Sequence, residues 1–230
     1  MIEGNAATYD LSEGLPVETA QSIQPGTSLL ISGPPMAGTE DLVVDLLANG
    51  ARRGEGTVVV TTGNSAPAAV AAVTDRVPEA DPRRIVAVDA RSGGGDTGGG
   101  SQTDAGATVY RADAPSDMTG IGVGITNGFD RLAETGVERG RLGLTSLSTM
   151  LAYSNREAVF KFCHALSSRL ESVGYVGLFA IDAAAHDDQT LQVLKQAFDG
   201  VVELRERDGA REVRLGGVQP TPTDWVPLAE

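Results

Sequence analysis

The stretch that most constrains this chain is LLISGPPMAGTEDLVVDLL, Leu29–Leu47. Ser28–Ser32 (SLLIS) is an apolar run of strand length, and an unbroken apolar run predicts a strand buried on both faces, as in a parallel sheet. A Gly/Pro turn follows. From about Gly38 the spacing of Leu42, Val43, Leu46 and Leu47 predicts a helix, with Asn49-Gly50 as its C-terminal stop. A buried strand that turns straight into an amphipathic helix is the first half of a βαβ unit, so the chain is expected to be α/β.

The rest of the sequence repeats the alternation. Thr57–Thr62 (TVVVTT), Arg84–Val88 (RIVAV), Arg141–Leu147 (RLGLTSL) and Tyr175–Ile181 (YVGLFAI) read as further buried strands. Helices are expected from Gly63-Asn64-Ser65 to about Val77, in part of 115–136 with Phe129 and Leu132 inward, over Asn155–Val173, and over Asp187–Phe198. Asp208-Gly209 between two alternating runs signals a terminal hairpin. The predicted architecture is therefore a mostly parallel central sheet with helices on both faces and a C-terminal β-hairpin. Residues 25–218 read as one domain. Residues 1–24 read as an irregular lead-in, 92–106 (SGGGDTGGGSQTDAG) as a flexible Gly-rich loop, and 219–230 as a tail.

Composition narrows the setting. The formal net charge is -13, and Lys161 and Lys195 are the only lysines. Acid-rich, lysine-poor chains resemble haloarchaeal cytoplasmic proteins, where molar salt shortens the Debye length to ~3 Å and screens self-repulsion. A cytoplasmic location is expected, in line with a single cysteine, Cys163. The N-terminal MIEGNAATYD has neither the basic region nor the apolar run of a secretory signal. No run approaches the ~20 apolar residues of a membrane span. An acidic surface argues against nonspecific nucleic-acid binding, which needs Lys and Arg on phosphates.

The turn between strand and helix, Gly33-Pro34-Pro35-Met36-Ala37-Gly38-Thr39-Glu40, has the layout of a phosphate-binding loop, G-x-x-x-x-G-K-[ST]. Such a loop holds phosphates with backbone N–H groups at a helix N-terminus, a lysine and a Mg²⁺-binding hydroxyl. Both glycines are in register. Thr39 stands at the lysine position and Glu40 at the hydroxyl position. Glu40 and Asp41 in the first turn also suit the helix dipole, so the chain supplies its own anion where a phosphate would sit. The alternative is that Glu40 ligates Mg²⁺ directly and ATP or ADP binds weakly.

With that order of elements, the chain resembles the RecA-like ATPase superfamily, specifically its KaiC-type archaeal branch. The opening Pro25-Gly26-Thr27-Ser28-Leu29-Leu30-Ile31-Ser32-Gly33-Pro34-Pro35 carries the likeness. So do Phe198-Asp199-Gly200-Val201-Val202-Glu203-Leu204, Arg211-Glu212-Val213-Arg214-Leu215 and the strand Leu142–Leu147. The resemblance implies water-orienting glutamate after the second strand, where this chain has Thr61-Thr62-Gly63-Asn64. It implies a Walker B aspartate where this chain has Thr145, followed by Ser146. Lysine, hydroxyl, glutamate and aspartate are all replaced, so no catalytic residue is assigned and no significant ATP hydrolysis is expected. The expectation is a pseudo-ATPase acting as a regulatory or protein-interaction module, associating with a protein partner or with itself through RecA-like edges. An ATP/ADP-binding switch is the alternative, and an active ATPase ranks last.

Other candidates are weaker. Asp182 ends the strand after the Walker B position and is expected to cap the next turn rather than reach the site edge through water. Asp182…His186-Asp187-Asp188 lacks the paired histidines of a helical metal site, and Asp187 or Asp188 suits an N-cap. Cys163 and His164 are adjacent on a helix and point apart. Gly120-x-Gly-x-Gly124 follows no strand and is no dinucleotide fingerprint. Ser146, Ser148, His164 and Asp182 make a triad on paper that no spacing supports.

Overall fold

A computed structural model describes residues 8–91 and 100–228. Ten strands form one sheet in the order β10-β9-β8-β1-β7-β6-β2-β3-β5-β4. The central strands are β1 (Ser28–Gly33), β2 (Gly56–Thr61), β3 (Ile85–Asp89), β6 (Gly140–Leu144) and β7 (Val176–Asp182). With β5 (Thr108–Arg111) and β8 (Gly200–Arg207) they are mutually parallel. Antiparallel pairing is confined to the edges. There β4 (Ser101–Gln102) joins β5, and β9 (Ala210–Gly216) joins β8 and β10 (Val226–Pro227). The β8–β9 turn has Asp208 and Gly209 both at positive φ, 54° and 77°, the backbone of a tight hairpin.

The apolar strand runs fill both faces. Leu29 and Ile31 point to one side with α1 (Thr39–Arg52) and α2 (Ala66–Thr74). Leu30 points to the other, with α3 (Met118–Glu134), α4 (Leu147–Tyr153), α5 (Arg156–Val173) and α6 (Asp188–Lys195). The helices start where the sequence offers caps: the Ser65, Ser146, Asn155 and Asp187 side chains each accept from an N–H in the first turn. Close packing also uses glycine. A Cβ on Gly143 would lie 2.6 Å from Leu47 of α1, so that helix settles directly on β6.

Several sequence expectations need correction. The lead-in is no loose segment: Tyr9, Leu11, Leu15, Val17, Ala20 and Ile23 are buried beneath α1, and Tyr9 bridges Ile23. Its apolar residues follow no helical or strand period, which hid their role. Of the 92–106 stretch, residues 92–99 lie outside the described residues. Ser101–Gln102 is a strand, and Thr103–Ala107 is a hydrogen-bonded turn. The tail is pinned by β10 and by Trp225, whose ring meets the guanidinium of Arg205 at 4.0 Å and of Arg214 at 4.6 Å.

At the amino ends of the strands a charged pair is buried. Arg141 of β6 is fully enclosed and donates to Glu55 Oε2 at 2.6 Å, to the Leu46 carbonyl at 2.7 Å and to the Asp10 carbonyl at 3.1 Å. Arg139 approaches the other Glu55 oxygen at 3.6 Å. Among the described residues no helix is long and apolar enough to cross a membrane.

Candidate functional site

Ligands of open α/β sheets bind beyond the carboxyl ends of the strands, where adjacent connections leave to opposite faces. Here β1 leads to α1 on one face, while its neighbour β7 leads to α6 on the other. The glycine loop therefore sits at the crevice. A larger cavity, about 830 Å³, lies at the opposite end, between the lead-in and β10. It is remote from every position that the phosphate-loop pattern singles out, so the crevice is the better candidate.

Gly33 ends β1 opposite Asp182 of β7. Pro34 to Ala37 form a turn closed by the Ala37 N–H on the Pro34 carbonyl at 3.1 Å. Met36 occupies the left-handed region at φ 64° and is fully exposed. An L-residue there costs roughly 1–2 kcal/mol. Gly38, at φ 82°, is the N-cap of α1, and no side chain caps the helix. A Cβ on Gly38 would stand 2.7 Å from Nη1 of Arg211, which reaches over from β9. Among the described residues Arg211 makes no ion pair. The Thr39 methyl turns back towards Gly33, 3.1 Å from where a Cβ would be.

Glu40 crosses the mouth of the crevice and accepts from Asn64 Nδ2 at 3.2 Å. Partial desolvation raises its pKa first, Asp41 beside it raises it further, and the Asn64 bond opposes both. Asn64 is held in turn, because its carbonyl accepts from Thr61 Oγ1 at 2.9 Å and its N–H donates to that oxygen at 3.0 Å. The crevice encloses about 370 Å³, lined by the Pro34–Asp41 segment, Thr145, Ser146 and Asp182 among others. Three carboxylates border it, those of Glu40, Asp41 and Asp182. No Lys or Arg does among the described residues.

The remaining positions are engaged in local structure. The buried Thr145 donates its N–H to the Val60 carbonyl at 3.1 Å, and Ser146 Oγ caps α4 by accepting from Thr149 N at 3.2 Å. Asp182 accepts from Ala184 N at 2.9 Å, and Asp187 caps α6. Asp89, at the end of β3, is buried. It accepts from Ala66 N at 3.2 Å and from both Nε and Nη2 of Arg91, at 3.0 and 2.9 Å. Burial pushes its carboxyl up, but Arg91 and the backbone donors outweigh that and leave the pKa lowered.

The paper triad comes apart. His164 is exposed on α5, stacked on Phe160. Ser148 instead meets His186, Oγ to Nε2 at 2.9 Å, and also accepts from Asp182 N at 3.0 Å. Among the described residues no carboxylate bonds the other ring nitrogen of His186, so the pair ties α4 to the β7 loop and has no orienting third member. Cys163 is buried and its thiol is pushed up to about 12, far from a reactive thiolate. The Glu40–Asn64 and Arg211–Gly38 contacts escaped the sequence reading, since each joins residues distant in sequence.

A family model described as a family of unknown function, DUF7504, matches residues 26–204. That span begins just before β1 and ends within β8, so it takes in the glycine loop and every strand bordering the crevice. A search of curated proteins finds no match.

Proposed function

The chain belongs to the DUF7504 family, and from that premise we propose that it is a non-catalytic RecA-like domain of KaiC type, serving as a regulatory or protein-interaction module in a haloarchaeal cytoplasm. One observation carries the reading. The crevice where a phosphate loop would hold its nucleotide is lined by the carboxylates of Glu40, Asp41 and Asp182 and, among the described residues, by no lysine or arginine, Arg211 standing only at its edge over Gly38. A like-charge pair near 4 Å costs about 4 kcal/mol at an effective dielectric of 20. The residues present do not fit a magnesium nucleotide. Thr39 brings no charge, Glu40 is held by Asn64, Ser146 is spent as a cap, and Thr145 offers no carboxylate. The losses fall on charge neutralisation, metal binding and water activation together.

The second reading, a nucleotide-binding switch without hydrolysis, is favoured by a different observation. Among the described residues the α1 N-terminus has no side-chain cap, and Arg211 stands over Gly38 without an ion pair. One cation and a set of free N–H groups thus remain beside the loop.

Thermal unfolding in molar KCl, with and without millimolar Mg-ATP or Mg-ADP, separates the readings, because a ligand of the folded state must raise the midpoint. The module reading expects no shift in the natural chain and a shift in the Thr39→Lys, Glu40→Thr variant. A shift in the natural chain that Arg211→Ala abolishes, with no phosphate released, establishes the switch instead. Phosphate release in proportion to enzyme would overturn both.

A further inference from the structure

Helices α3 and α5 lie on the same face of the sheet and run in the same direction, since each returns the chain to a parallel strand on that side. Besides the stripe each buries in the core, each presents a shoulder to the other. On α3 the shoulder is Thr119, Gly122, Val123 and Thr126; on α5 it is Phe162, Ala165, Leu166 and Arg169. Both sets follow i, i+3, i+4, i+7, the spacing of one helix face. Between them runs a groove of about 530 Å³. Val123 is 51% exposed at its edge. The space above Gly122 is open, for an added Cβ there meets nothing within 4 Å. Eight residues at 1.5 Å each give a groove about 12 Å long, two turns of a third helix.

Arg169 is the groove's only charged residue. In a chain of net charge -13 it is exposed, and among the described residues it makes no ion pair. The geometry points to this groove as the docking site for an amphipathic helix of a protein partner, with an apolar face two turns long and a carboxylate that meets Arg169. The inference rests on the interaction-module reading and names the surface that such a module would use. The alternatives fit less well. A second copy offers helices whose apolar stripes are already spent on their own core. Residues 1–7 (MIEGNAA) and 92–99 (SGGGDTGG) lack an apolar stripe of the required length.

The test places a photo-crosslinking benzoylphenylalanine at position 123, and separately at position 36, in the full chain expressed in its native host. Mass spectrometry then reads the crosslinked peptide. The expected product at 123 joins a segment of another protein with apolar residues at helical spacing and an Asp or Glu within one turn. Gly122→Leu, which fills the open floor, should abolish the product without lowering the melting midpoint, and Arg169→Glu should cut it by about tenfold. No product at 123 overturns the inference, as does a product with a second copy, with a segment lacking the helical pattern, or with one that resists Gly122→Leu. Products from position 36 alone would refute the groove and leave the module reading standing. No product from either position counts against both.

Discussion

Replacing Arg141 by Met removes the charge from a fully enclosed site while keeping most of the stem's volume. Arg141 is wholly shielded and Glu55 is 7% exposed. Among the described residues the substitution leaves Glu55 only Arg139 as an ion-pair partner, at 3.6 Å. It also strips the Leu46 and Asp10 carbonyls of their donors. Breaking a buried pair from one side costs about 3–5 kcal/mol, against a total near 5–15 kcal/mol for a domain. For a chain of this length that lowers the melting midpoint by roughly 6–20 °C. The assay is urea unfolding of the natural chain, Arg141→Met, Glu55→Met and the double variant at several KCl concentrations. The double variant should recover part of the loss, because no buried charge is left unpaired, yet stay below the natural chain for want of donors to the two carbonyls. Salt should barely change the loss, since buried pairs are little screened. A loss under about 1 kcal/mol, or one that shrinks steeply with salt, would refute the claim that this pair anchors the lead-in to the sheet.

Asp89→Ala leaves Ala66 N and Arg91 without an acceptor and should cost about 1.5–3 kcal/mol near neutral pH. Because the folded pKa of Asp89 is lowered, its contribution is present above the ordinary carboxylate pKa and disappears as pH falls through the folded value, so the two unfolding curves should converge in acid. Glu40 has the opposite sign. Its raised pKa means that ionisation weakens the fold as pH rises from the ordinary value through the raised one. Glu40→Gln should stabilise slightly at neutral pH, by less than about 1 kcal/mol for so exposed a group, and have no effect in acid; destabilisation at neutral pH would show the carboxylate to be a wanted ligand. Met36→Gly relieves the left-handed φ and should raise stability by up to about 1 kcal/mol, read by denaturant midpoint.

The central strands were legible because burial on both faces leaves a plain trace, as in VVV of β2 and IVAV of β3. Helix α5 was legible from its apolar residues at helical spacing over Asn155–Val173, and the β8–β9 turn from Asp208-Gly209. Strand β5, TVYR, was missed because four residues beside a Gly-rich stretch show no period and gain their burial only from β3 and α3. The strand was read on to Leu147, three residues past its end at Leu144, and helix α4 was given no element, since Leu144-Thr145-Ser146-Leu147 looks extended until Ser146 is seen to cap. At the site, the residues of the loop could be named from sequence. Their partners could not, because Asn64 and Arg211 reach the loop from the turn after β2 and from β9 only once the sheet is assembled.

The local employment of these side chains bears on how the crevice could change. A loop that lacked only a lysine could be converted by one substitution. Here Glu40 is bonded to Asn64, Asn64 is clasped by Thr61, Ser146 caps α4, and the Thr39 methyl faces Gly33. Each is a small stabilising contact that a phosphate-holding arrangement would have to break, at about 0.5–1.5 kcal/mol per hydrogen bond. The Thr39→Lys, Glu40→Thr pair removes the repulsion of Glu40 and frees Asn64, but leaves Thr145 without a carboxylate for metal. The double variant is therefore expected to bind nucleotide without hydrolysing it. An additional Thr145→Asp change should add magnesium dependence to that binding, at a cost in stability, because Thr145 is buried beside the carboxyl end of β2. Binding that stays independent of magnesium in the triple variant would show that this crevice never had the geometry of a metal site.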